Sequence, residues 1–158
     1  HNLREPDSDV GLVERIRRES SLSRSFLGFA PSLLISVDGQ SVNEQKECED
    51  HRVELLNSRV DDSRSDDAVA IVREGLSNIA RHAHATAGAV NVELQGSGKT
   101  GRLTVSVSDD GIGINPAHTR NSGLANMAER ARLNGGTFTI GTGLEGKGTK
   151  ITWSVPLA

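Results

Sequence analysis

Aromatic side chains are scarce in this chain: they make up 3% of its 158 residues, as one Trp, three Phe and no Tyr. A core built almost without them must rest on Val, Ile, Leu and Ala. Nor does an aromatic-basic stripe offer a platform for stacking bases, and a net charge of −3 gives no reason to expect a nucleic-acid partner. A single cysteine, Cys48, excludes an internal disulfide framework and a cysteine-rich zinc site. No apolar run approaches the ~20 residues of a membrane span, and no signal peptide opens the chain. These absences describe a soluble, cytoplasmic piece with no membrane contact of its own. It opens at His1-Asn2-Leu3 and reads as a fragment of a longer protein. Its length leaves room for one core.

Residues 1–6 read as the end of a helix stopped at Pro6. Asp9 is a candidate cap for a helix over residues 10–25, with Leu12, Val13 and Ile16 apolar against an Arg/Glu face. Residues 1–25 are therefore set apart as a linker and helix tail, and residues 26–158 as the main domain. Pro31 precedes the short apolar strand 33–37, which ends at Asp38-Gly39. From residue 41 to about 64 the composition turns to Glu, Asp, Arg and Asn, predicting a charged insertion that is solvated loop or exposed, frayed helix. Cys48 and His51 fall here without a second ligand pair.

Ser65-Asp66-Asp67 is a helix start with acids in the first turn. Val69, Val72, Leu76 and Ile79 then recur at helical spacing, predicting a helix over 66–84. Strands are expected at 89–94, 102–108, 137–142 and 149–155, and a helix at 124–134 ended by Gly135-Gly136. Adjacent strands are joined by turns too short for parallel crossovers. The fold class that follows is α/β, a two-layer sandwich with a mixed, mostly antiparallel sheet and helices on one face.

Two glycine patterns mislead. Gly96-x-Gly98-x-x-Gly101 matches a dinucleotide fingerprint, but a strand follows it where a helix is required. Gly141-x-x-x-x-Gly146-Lys147 continues with Gly148 in place of a magnesium-holding Ser or Thr, and again a strand follows. Both read as turns between strands.

Four other signatures occur in order. Glu74, Asn78 and His82 stand four apart, a polar stripe on a helix whose opposite face is apolar. Solvent exposure would explain such a stripe, but an Asn amide oxygen is also a hard ligand suited to magnesium. A Glu one turn away could orient water or take a proton. Next, the strand 102–108 alternates and delivers Asp109 to its end, followed by Gly111 and Gly113. The plain reading is a tight turn; the functional one is a carboxylate accepting the exocyclic amine of a planar heterocycle, over glycines that reach strained conformations freely. Third, Gly123-Leu124-x-x-Met127-x-x-Arg130 puts a glycine at a helix N-terminus, where free N–H groups favour phosphate. Gly146-x-Gly148-Thr149 leads into the last strand.

In this order the signatures resemble the N box and glycine boxes of the GHKL (Bergerat-fold) ATPases. The likeness is greatest to the catalytic ATP-binding domain of sensor histidine kinases. The run 73–83, Arg-Glu-Gly-Leu-Ser-Asn-Ile-Ala-Arg-His-Ala, is similar to the subgroup that phosphorylates DNA-binding response regulators of the nitrate- and oxygen-sensing type. Gly123 to Arg130 and the closing Val155-Pro156-Leu157 point the same way, and the likeness runs from about residue 65 to the end. Before that, Leu3-Arg4-Glu5-Pro6 followed by Gly11-Leu12 looks like that subgroup's link out of its dimerisation helices.

The resemblance implies ATP and Mg2+ as cofactors, with Asn78 as the metal ligand and Asp109 on the adenine amino group. Gly111 and Gly113 would form the pocket base and lid hinge. Gly123 and Leu124 would meet the phosphates, and Gly148 with Thr149 would line the far side. Glu74 would be the acid that assists phosphoryl transfer, with His82 near the phosphates. It also implies three partners: a dimerisation domain carrying the phosphoacceptor histidine, a response regulator, and a second copy of the full-length protein. His1, His51, His82, His84 and His118 all lack the setting of a phosphoacceptor, so the fragment is expected to bind ATP without phosphorylating itself. Two departures stand out: Asn121 where the family often has glycine, and a short lid at 114–122 without an aromatic box. The same fold also serves anti-sigma-factor serine kinases and could serve a non-catalytic nucleotide-sensing module; both stay open on sequence alone.

Overall fold

A computed structural model describes residues 10–42, 51–113 and 123–158. The expectations for residues 1–9, for Cys48 and for the lid at 114–122 lie outside these. The first helix, α1 (Leu12–Leu27), starts after Gly11 and ends at Gly28, whose N–H donates to the Arg24 carbonyl at 3.1 Å. Its apolar stripe of Leu12, Val13 and Ile16 is buried in the same core as the sheet.

Six strands follow: β1 (Ser32–Val37), β2 (Gln40–Ser41), β3 (Gly88–Gln95), β4 (Arg102–Asp109), β5 (Thr137–Gly141) and β6 (Lys150–Pro156). They form one sheet in the order β2-β1-β3-β4-β6-β5, in which only β1 and β3 pair in parallel among the described strands. The parallel pair needs a crossover, and helices α2 (His51–Arg59) and α3 (Asp62–Asn78) supply it. Helix α4 (Leu124–Leu133) connects β4 to β5. The expected α/β architecture is what the chain adopts.

Strand alternation decides which face is covered. Val90, Val92, Leu94, Leu103, Val105, Val107, Ile151, Trp153 and Val155 are all buried, and they share the core with Val69, Val72 and Leu76 of α3 and Met127 of α4. The opposite face carries Asn91, Glu93, Thr104, Ser106 and Thr152. There β4 departs from a half-buried strand, since Ser106 and Ser108 are also buried. On this central strand Ser106 is flanked by Asn91 and Thr152, and Ser108 by Ala89 and Lys150.

The charged stretch 41–64 is not merely solvated. It contains α2 and the first turn of α3, and Leu56 and Val60 are core residues. Long-range polar contacts dock it: Arg59 donates to Asp38 Oδ2 (3.0 Å) and to the Gly96 carbonyl (3.1 Å), and Arg52 donates to Gln40. Asn57 Oδ1 accepts from the Val13 N–H at 3.3 Å. Helix α3 also begins earlier than residue 66, because the Asp61 carboxylate accepts from the Arg64 N–H at 2.8 Å and caps it. Its far end differs too: the α-helix stops at Asn78 and a π-helical turn (Ile79–Ala83) follows, with His84 at φ 51°. Such turns commonly accompany functional sites.

Candidate functional site

The site begins where α3 crosses the sheet. Gly75 lies so close to it that an added Cβ would sit 2.9 Å from Val107 Cγ2 and 3.0 Å from Ile151 Cδ1. That approach lets the next turn of α3 bring Asn78 to the end of β4. A single cleft results, lined by Gly75, Asn78, Val107, Asp109, Thr149 and Ile151. Two residues 31 positions apart, Asn78 and Asp109, thus share one cavity, each with under 5% of its surface exposed.

Asp109 is held from three sides. Its Oδ1 accepts from the Gly111 N–H at 2.8 Å, and its own N–H donates to the Thr149 carbonyl at 2.9 Å. Gly148, at φ +67°, lies directly on it: a Cβ there would strike both the Asp109 carbonyl and its carboxylate. Only a residue without a side chain can lie there. Burial pushes the Asp109 carboxyl above its ordinary value of 3.8, against the opposing pull of the Gly111 and Thr149 amides. The two glycines after Asp109 differ from expectation. Gly113 takes φ +86° beside Gly148 and Thr149, whereas Gly111 does not enter that region and contributes its amide.

At the other end of the cleft, Asn78 Oδ1 and Glu74 Oε2 both accept from Arg81 Nη2, at 3.0 and 3.1 Å. Asn78 Nδ2 is buried and has no partner among the described residues, so it is a hydrogen-bond donor available to a group in the cleft. Gly123, the N-cap of α4 at φ +95°, packs against the Glu74 carboxyl, so the helix N-terminus faces this carboxylate. The Leu124 side chain turns away into the core, which leaves its main chain as the only part near that end. The backbone of His82 lies in the π turn; its side chain is outside the described residues. Of the residues singled out from sequence, the structure brings Asp109, Gly111, Gly113, Gly148 and Thr149 together at one end, and Glu74, Asn78 and Gly123 at the other.

Two participants were missed. Arg81 lies three residues after Asn78 and seven after Glu74, a spacing that keeps it on their face and could have revealed it. Asp110 was overshadowed by its neighbour. It accepts from the Thr86 N–H (2.8 Å), the Thr86 hydroxyl (2.6 Å) and the Ala87 N–H (2.9 Å), which together hold its carboxyl down at about 2. Asp110 therefore fixes the segment that leaves the π turn, while Asp109 faces the cleft.

The family model of histidine kinase-, DNA gyrase B- and HSP90-like ATPases matches residues 63–158. The chain belongs to that family. Within this ATPase family, it is 40% identical over 87 residues to the signal transduction histidine-protein kinase/phosphatase UhpB of Salmonella typhimurium, covering 54% of the chain and 16% of that protein. It is 27% identical over 168 aligned positions to the sensor histidine kinase LiaS of Bacillus subtilis, covering 96% of the chain and 45% of that protein. The chain thus spans less than half the length of either relative. Among solved structures, the histidine kinase domain of the Erythrobacter litoralis EL346 blue-light activated kinase superposes with a TM-score of 0.59 at 20% identity, over 94% of this chain and 62% of that one. The ATP binding domain of PrrB from Mycobacterium tuberculosis gives 0.54 at 17% identity, over 94% and 96% of the two chains. These structural likenesses carry the fold. Among the described residues no helix is long and apolar enough to cross a membrane.

Proposed function

We propose that the chain is the ATP-binding catalytic domain of a two-component sensor histidine kinase. It presents the γ-phosphate of Mg-ATP to a histidine on a separate dimerisation domain, for relay to a response regulator. The observation that carries this is the shared cleft: the buried Asp109 carboxylate at one end and the buried Asn78 side chain at the other. The chain supplies roughly the cleft and the end of a helix, which suits a reaction in which the protein mainly positions and neutralises charge.

Each residue has a task in that reading. Asp109 keeps one carboxylate oxygen on the Gly111 amide, and the other is left to accept the adenine amino group. Gly148 and Gly113 keep that end open to a flat base. The N-terminus of α4 at Gly123 directs unsatisfied N–H groups toward phosphate oxygens. Asn78 suits a divalent cation, because its amide oxygen already lies 3.0 Å from a cationic group, the Arg81 guanidinium. Bound there, Mg2+ would neutralise phosphate charge. Glu74, partly exposed at the mouth, is placed to orient the incoming nucleophile and take its proton. The domain division, with residues 1–25 leading in from dimerisation helices, belongs to the same reading, as do cytoplasmic placement and a homodimeric full-length protein.

Two measurements test it. Calorimetry should detect binding of Mg-ATP by the chain alone. Phosphate should then pass to a supplied dimerisation domain carrying its histidine, and Glu74→Ala should slow that transfer by about 10²–10⁴-fold while leaving ATP binding within a few fold. Absence of Mg-ATP binding, or transfer unaffected by Glu74→Ala, would defeat the proposal.

A further inference from the structure

Arg130 closes the third sequence signature, yet it does not line the cleft and nothing above gives it a task. Its guanidinium donates to Asp67 Oδ1 of α3, and Asn134 Nδ2 donates to Asp67 Oδ2 at 2.8 Å. Both oxygens of one carboxylate on α3 are therefore taken by groups near the end of α4. Asn134 also donates to the Arg130 carbonyl at 2.7 Å, which ties the two donors to each other.

The cleft end shows a second point of contact between the same helices, where Gly123 packs against Glu74. The spacings match: Asp67 to Glu74 is seven residues along α3, and Gly123 to Arg130 is seven along α4. Seven residues are about two turns and return to the same helical face. Asp67 meets Arg130 and Glu74 meets Gly123, so the helices lie antiparallel and in register at both ends. Over its whole length α4 buries only Leu124, Met127 and Ala131. Met127, at the middle of that set, is unbranched and adapts to more than one packing arrangement.

We propose that Arg130 is a positioning residue: by pinning α4 to Asp67 two turns away, it sets where the Gly123 N-terminus stands against Glu74 and the phosphate end of the cleft. The inference rests on the nucleotide reading above. The pair is partly exposed, at 43% for Arg130 and 18% for Asp67, and ion pairs of that kind contribute little to stability. Its effect is on register. A shift of the helix start by about an ångström is enough to weaken phosphate contacts severely, while the adenine end, built from β4 and the β5–β6 loop, is left unmoved.

The test compares ATP with adenosine, by calorimetry and by ligand-observed NMR. Arg130→Ala and Asp67→Asn should each weaken ATP by about tenfold or more and change adenosine by less than about twofold. The melting temperature should change little. The exchange Asp67→Arg with Arg130→Asp should recover most of the ATP affinity. Equal binding of ATP by wild type and both single variants would overturn the pin, and so would equal weakening of ATP and adenosine or failure of the charge exchange to restore binding. A wild-type chain that binds neither ligand would instead overturn the nucleotide reading beneath it.

Discussion

Replacing Asp109 with Asn changes one acceptor into a donor at the buried end of the cleft and leaves the shape almost intact. The Asn oxygen can keep the 2.8 Å bond from the Gly111 amide, so its NH2 group must then face the adenine amine, donor against donor. A hydrogen bond to a charged group contributes about 1.5–3 kcal/mol. At about 1.4 kcal/mol per tenfold, ATP affinity should fall by roughly 10- to 150-fold. Stability should move the other way. Burial raises the folded-state pKa of Asp109 above 3.8, so the group favours the folded state fully only below its unfolded pKa, and that contribution is lost as pH rises through the raised value. At neutral pH the ionised carboxylate opposes folding, and Asn removes that opposition. Without nucleotide, Asp109→Asn should therefore melt at the same temperature as wild type or higher, and the difference should disappear as the pH falls to the point where Asp109 is protonated in both states. With Mg-ATP present, wild type should gain thermal stability and the variant should not. Calorimetry and thermal melts with and without nucleotide read both effects. A folded variant whose ATP affinity stays within about twofold of wild type would refute the assignment of Asp109 to the base.

Asp110→Asn should lower stability at neutral pH, because a carboxyl held at about 2 in the folded state contributes stability above its unfolded value of 3.8 that fades as pH falls toward 2. Denaturation curves at several pH values should show the two proteins converging at the acid end. Gly148→Ala forces a side chain into φ +67° and against the Asp109 carbonyl, so chemical denaturation should show a loss of about 1–2 kcal/mol or more from backbone strain alone, with weakened ATP binding. Leu56→Ala should cost about 2–5 kcal/mol in the same assay, since Leu56 is fully buried. A negligible effect there would mean that α2 is not part of the folded unit.

Some expectations failed for identifiable reasons. Helix α2 was expected only as an exposed, frayed helix or loop, because the helically spaced Val53, Leu56 and Val60 were outweighed by the charged residues around them. The burial of Leu56 depends on Arg59 reaching Asp38 and Gly96, residues 21 and 37 positions away. The start of α3 was misplaced because Asp61 and Ser65 are both acceptable caps, and it is the Asp61 carboxylate that accepts from the Arg64 amide. Gly111 was given a backbone role that belongs to Gly113. Arg81 was passed over because its role depends on the turn after Asn78, which brings it onto Glu74 and Asn78.

Alternation and helical spacing are properties of neighbouring residues, so the sequence by itself determined every described strand but the two-residue β2, the buried faces of α1 and α3, and which polar groups stand at the ends of those elements. It also determined where glycine was required, since a side chain at Gly148 is excluded by local geometry as much as by its neighbours. Only the tertiary structure decided that these pieces make one site. With β4 between β3 and β6, Asp109 lies beside Thr149, and the close crossing at Gly75 lowers Asn78 into the same cleft. The convergence depends on strand order and helix-to-sheet distance, which are set by packing across the whole core and leave no trace in any short stretch of chain.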